Sequence, residues 1–149
     1  MNGLYKAFIV ASTLSVAVAS SAVAGPVEDR RELMKSVGKS VKLAVPMAKG
    51  DVPFDAAAAA AAMQTIHDVP DKFVKLFPQG SDKHPKTEAS PKIWQDMNGF
   101  LAKANDLKAA SAKTKAAASQ DQQAFQAAVF GPLVKTCKGC HDAYRIKKD

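Results

Sequence analysis

The sequence predicts an all-α protein, an antiparallel four-helix bundle. Glycines and prolines divide the chain after residue 24 into four segments, and the apolar residues in each recur at threes and fours. No run alternates apolar and polar residues as a half-buried strand would. Four amphipathic helices within Gly25–Asp149 fit one domain around one core.

The first helix is expected over Val27–Lys49, with Leu33, Met34, Val37, Val41, Ala44 and Val45 as its apolar stripe. Glu28, Asp29 and Glu32 near its start and Lys49 near its end suit the helix dipole. Gly50 is placed to cap it, and Pro46 is expected to kink or shorten its last turn. The second helix opens at Asp55, an N-cap residue, and continues through Ala56–Ala62 to Met63 and Ile66. Alanine has no side-chain entropy to lose and allows helices to approach closely. Pro70 interrupts the pattern, a short turn through Phe73, Leu76 and Phe77 follows, and Phe77–Pro91 reads as a loop.

Ser90 and Pro91 look like the N-cap and first residue of the third helix. Its stripe is Ile93, Trp94, Met97, Phe100, Leu101, Ala104 and Leu107, and the pattern fades before Gln120. The fourth helix begins near Ser119 or Asp121. Its face comprises Phe125, Ala128, Val129, Leu133, Thr136, Cys137, Cys140 and Tyr144, with a bend expected at Gly131-Pro132.

Residues 1–24 read as a secretory leader: Lys6, the apolar run Ala7–Val18, and Ala22-Val23-Ala24 as a small-x-small cleavage site before Gly25. The apolar run is shorter than the roughly 20 residues of a spanning helix. The expected location is therefore the periplasm, with residues 25–149 as the working domain. Of the 21 basic side chains, all but Lys6 fall in that domain, against 14 acidic ones, which leaves a net charge of +6. The lysines are scattered, as on a solvated surface, and export removes the chain from nucleic acid.

Only two cysteines occur, both in "CKGCHDAYR" (Cys137–Arg145). A disulfide between them would close too small a loop to stabilise much. C-x-x-C-H is the attachment sequence for c-type haem. On a helix, Cys137 and Cys140 share a face, so both can form thioethers to one porphyrin, and His141 can take the iron from the same side. A thioredoxin-like site would need a βαβ setting, and zinc would need a fourth ligand beyond these three. One covalent haem c is the expected cofactor. No catalytic acid, base or nucleophile pair is visible, so an enzyme is not expected.

With its leader, four helices and C-terminal haem motif, the chain resembles the class II c-type cytochromes, the cytochrome c-prime family. "RRELMKSVGKS" (Arg30–Ser40) is similar to that family's first helix, and "KTEASPKIW" (Lys86–Trp94) to the loop before its third. The resemblance implies a left-handed antiparallel bundle with haem buried near one end, and it puts Met34 on the far side of the iron. Low-spin members use such a methionine as ligand. In cytochrome c-prime proper an apolar residue covers a five-coordinate iron that binds nitric oxide or carbon monoxide. Leu33-Met34-Lys35 is closer to the low-spin pattern, and Arg30-Arg31 departs from the usual Arg-Gln pair. Met34 as a non-bonded cover or as core filler stays open, since methionine often fills gaps.

Arg30 and Arg31 precede Met34 by about one turn, and at least one is expected to pair with a haem propionate. Thr87 and Glu88 are assigned to the haem edge by resemblance alone. Trp94, Phe100, Phe125 and Phe130 are candidates to shield the porphyrin or simply to fill the core. His67 and His84 are expected at the surface. The expected role is a mono-haem electron carrier ligated by His141 and Met34, with a gas-binding high-spin protein as the alternative. Lys135, Lys138, Arg145, Lys147 and Lys148 around the motif suit acidic redox partners, periplasmic or membrane-bound. The alanine-rich second helix suits a homodimer.

Overall fold

The computed structural model describes residues 25–147. The expected leader and its cleavage after Ala24 lie outside them, as does Lys148. The fold is an antiparallel four-helix bundle. Among the described residues its helices are α1 (Pro26–Lys49), α2 (Ala56–Asp68), α3 (Pro70–Phe73), α4 (Lys92–Gln95), α5 (Met97–Ala118), α6 (Gln122–Ala128) and α7 (Val134–Tyr144). The four long members are α1, α2, α5 and the α6–α7 pair.

Local chemistry sets most of the boundaries. Gly50, at φ 80, lets the chain turn out of α1, and its N–H and that of Asp51 reach the carbonyls of Met47 and Pro46. Pro46 does not shorten the helix, which continues for three residues beyond it. Asp55 caps α2 by accepting from the Ala58 N–H at 3.0 Å, and Asp121 caps α6 by accepting from Ala124 at 2.7 Å. Pro70 opens α3 at the position where its missing N–H costs nothing. The bend expected at Gly131-Pro132 is a π-helical turn over Val129–Leu133, wide enough to accommodate the proline within a continuing helix.

The third helix departs from expectation. It is two helices, with Asp96 between them at φ −136, ψ 61. Ser90 Oγ accepts from the Lys92 N–H at 3.2 Å, but the long helix starts at Met97, capped by Asp96 through the Gly99 N–H at 3.0 Å. The cause lies on another helix. Tyr144 of α7 donates its hydroxyl to Asp96 Oδ2 at 2.6 Å and so fixes the carboxylate where it caps α5. The long helix ends at Ala118, before Gln120 as expected.

Gly99 makes room for this arrangement, since a Cβ there would lie 2.3 Å from Asp96 Oδ2 and 2.4 Å from the Tyr144 hydroxyl. The Tyr144 phenol, hydrogen-bonded to the Asp96 carboxylate, is pushed up to about 12. Because the folded value is the higher one, its contribution is complete below the ordinary phenol range and is lost as pH rises through about 12. Gly99→Ala is expected to lower the thermal midpoint by about 5 °C or more. The same variant should return the phenol toward its ordinary value in a near-ultraviolet titration. An unchanged midpoint and titration would show that the two groups are not held against Gly99.

Two apolar clusters form. Away from the haem motif, Ala44, Met47, Ala48, Ala59, Ala62, Met63, Ile66, Phe125 and Val129 pack closely because so many are small. The buried hydroxyls of Ser111 and Thr114 in α5 bond back to the carbonyls of Leu107 and Ala110, each at 2.8 Å. At the other end Phe77, Ile93, Phe100 and Tyr144 form an aromatic cluster, with edge-on ring pairs 4.8 Å (Phe77–Phe100) and 5.5 Å (Phe100–Tyr144) apart. Leu101, expected in the stripe, is exposed.

Candidate haem site

Between α1, α5 and α7 lies a cavity of about 640 Å³ with mostly apolar walls. One wall is the inner stripe of α1, including Arg30, Arg31, Met34, Val37, Gly38 and Val41. The opposite wall is α7, from which Cys137, Cys140 and His141 all line the space. Phe73 and Phe77 form one end, and Phe100, Lys103, Ala104 and Leu107 of α5 form the back. The spacing of three and four unites the motif on one face of α7, and Met34, on a separate helix, lines the same space.

The thiols of Cys137 and Cys140 are free and half-buried. Burial pushes both up from the usual thiol range. Cys140 is raised further by Cys137 and lowered by the nearby Lys103 ammonium. Partial burial, followed by the Arg145 guanidinium, holds the His141 imidazole below the usual histidine range. It is therefore neutral at neutral pH, the form that can give a lone pair to a metal.

Arg30 is 5% exposed, whereas Arg31 one residue on is open to solvent. The Arg30 guanidinium sits 4.4 Å above the Phe77 ring. It donates to Thr87 Oγ1 at 3.0 Å and to Ser81 Oγ and the Ser81 carbonyl at 3.3 Å. These acceptors are neutral, and burial draws the group below the usual arginine value, partly offset by Glu28. A buried cation facing a cavity with only neutral partners, and with donors to spare, suits an incoming carboxylate. Two thiols on one face, a neutral imidazole, apolar walls and this cation fit a covalently tethered haem with its propionates.

Other expected site residues divide. Thr87, which is buried, and Glu88 both line the cavity. Phe100 does so too. Trp94 instead donates its indole N–H to the Phe77 carbonyl at 3.1 Å, Phe125 is in the far cluster, and Phe130 is 43% exposed. His67 lies beside Asp68, and His84 Nε2 lies 3.9 Å from Glu28; neither lines the cavity. Phe73, Phe77 and Lys103 do, and the sequence reading missed them. Their signals were present: Phe73 and Phe77 are four apart, and Lys103 interrupts the apolar stripe Phe100–Ala104–Leu107.

Residues 25–145 match the family of cytochrome c′. The chain is 38% identical over 125 residues to a cytochrome c-556 of Agrobacterium tumefaciens (strain II Chrys), covering 84% of this chain and all of that one. It is 36% identical to the cytochrome c′ of Rhodopseudomonas palustris, covering 82% of each. A solved structure of a cytochrome c′ from Rhodopseudomonas palustris superposes with a TM-score of 0.77 at 31% identity, covering 83% of this chain and 98% of that one.

Proposed function

From the premise that this chain belongs to the cytochrome c′ family of class II c-type cytochromes, whose members carry one covalently bound haem c, we propose that it is an exported, low-spin electron carrier. The observation that carries this reading is Met34 on the cavity wall of α1, across from His141 on α7. Cys137 and Cys140 would hold the haem through thioethers, His141 and Met34 would ligate its iron, and Arg30 would pair with a propionate. Bound there, haem supplies the one-electron ferric/ferrous couple.

The chain's own part is to hold and to shield. The α7 backbone fixes Cys137, Cys140 and His141 relative to one another within about one turn. Met34, on a long unbranched side chain, reaches in from a rigid 24-residue helix. Ligation from two separate helices limits how far either donor moves when the charge of the site changes. The thioether favours the reduced state and raises the potential. Phe77, Phe100 and Leu107 exclude water from the walls. Arg31, exposed on the cavity wall, and Lys135, exposed between the lining residues Val134 and Thr136, favour an acidic partner protein, with association that weakens as salt is added.

Export is part of the proposal. It is supported by the family match beginning at Gly25, the residue after the expected cleavage site. The visible spectrum of the reduced protein, before and after carbon monoxide, tests the function. Sharp low-spin bands that resist carbon monoxide are the expected result. Broad bands that respond at once would overturn the carrier reading in favour of gas binding.

A further inference from the structure

The segment Thr87–Ser90 belongs to a long irregular loop, and within four residues it bonds to both walls of the cavity. On the α1 side, Thr87 Oγ1 accepts from Arg30, one turn before Met34. On the α7 side, Glu88 Oε2 lies 2.6 Å from both Nε and Nη2 of Arg145. The backbone joins in as an isolated antiparallel bridge between Ala89 and Arg145. The Ser90 N–H donates to the Tyr144 carbonyl at 2.9 Å, and the Ile146 N–H to the Glu88 carbonyl at 2.8 Å. Arg145 in turn donates its own N–H to the carbonyl of His141 at 3.0 Å. Thr87 Oγ1 is also bonded by the Ala89 N–H at 3.2 Å, which stiffens the link between the two halves.

A continuous path therefore runs from His141 through Arg145, Glu88, Thr87 and Arg30 to the turn that carries Met34. Around the cavity α1 and α7 have no other bonded connection of this kind among the described residues. We propose that Thr87 and Glu88 act as a tie-bar that sets the separation of the two walls, and so decides whether the Met34 thioether stays within reach of the iron. This rests on the reading that Met34 and His141 are the axial ligands. Thr87 and Glu88 are positioning residues, acting through α1 and α7 rather than on the iron. The ion pair is exposed, so its strength as a salt bridge is small. Its geometric part is shared with the two backbone hydrogen bonds of the bridge, which is why a change in spacing is expected and not a loss of fold.

The test uses the haem-loaded protein and carbon monoxide as the probe. Thr87→Val keeps the side-chain shape but removes the oxygen that accepts from Arg30, and Glu88→Ala removes the partner of Arg145. Each is expected to raise the rate of carbon monoxide association by about fivefold or more. Glu88→Ala should also speed hydrogen exchange at the Ser90 and Ile146 amides, a readout independent of the iron. In a Met34→Ala background neither change should raise the rate further. The charge-reversed pair Glu88→Arg with Arg145→Glu should return the rate toward that of the parent. If Glu88→Ala does not accumulate as loaded protein, Arg145→Gln cuts the same contact and carries the same expectation. Unchanged association in Thr87→Val and Glu88→Ala, with a clear increase in Met34→Ala, would overturn the tie-bar and leave the ligand assignment standing. An unchanged spectrum in Met34→Ala would overturn both.

Discussion

Met34→Ala is expected to convert a low-spin, carbon-monoxide-resistant spectrum into a broad high-spin one that responds to carbon monoxide on mixing. The argument is geometric. Met34 lines the cavity from α1, while His141 and both thiols line it from α7. The described His67 and His84 do not line it; Met63 of α2 also lines it, but its side chain is packed at 0% exposure in the far cluster rather than on the wall that α1 presents. Alanine cannot span the distance that a methionine can, and α1 is held by packing on α2 and α6 and, near its start, by the Arg30 bond to Thr87. The freed coordination position therefore stays open rather than being refilled by a shift of the backbone. Met34 is only half-buried, so the stability cost should fall near the low end for such a truncation, about 2 kcal/mol. Loss of a sulfur donor that favours the reduced state should also lower the reduction potential. A redox titration beside the spectrum checks both effects. If spectrum and potential both stay at their parent values, the sixth ligand is not Met34.

How much of this could be read beforehand depends on whether the determining contact was local. Asp55 and Asp121 each accept from an amide three residues on, and Gly50 donates to a carbonyl three residues back, so the bounds of α1, α2 and α6 were legible. The motif was legible because two thioethers and one axial ligand must come from one helical turn. Asp96 was not, because its role depends on Tyr144, 48 residues later in the chain. Arg30 and Arg31 were indistinguishable by spacing, since both fall within a turn of Met34. The roughly 100° between successive residues decides that one is buried under Phe77 and the other faces water. Thr87 and Glu88 were available only by resemblance, because the loop that carries them has no periodicity to interpret. Only the fold shows that this loop bonds to both walls.

The same cavity makes a second large effect expected: without its tether the folded chain should not persist. Cys137→Ala with Cys140→Ala removes both anchoring thiols while leaving His141 in place. Left unfilled, a space of about 640 Å³ would cost on the order of 15 kcal/mol at the per-volume penalty known for core cavities. Water entering from the open side makes that an upper bound, yet a third of it would remove much of the roughly 5–15 kcal/mol that a domain has to spare. The buried Arg30 guanidinium adds to the cost, because beside its neutral acceptors it would have no propionate to pair with. Ala44, Met63, Val129 and Leu133 of the far cluster line the cavity, but Met47, Ala48, Ala59, Ala62, Ile66 and Phe125 do not and can keep helices associated. The double variant is therefore expected to lack the mass of one haem and to retain far-ultraviolet helical circular dichroism. It should lose the near-ultraviolet signal of Trp94 and Tyr144 and unfold without a sharp transition. A haem-free double variant that melts cooperatively with an intact near-ultraviolet spectrum would show that the walls close on themselves, and that the cavity is not kept open for a prosthetic group.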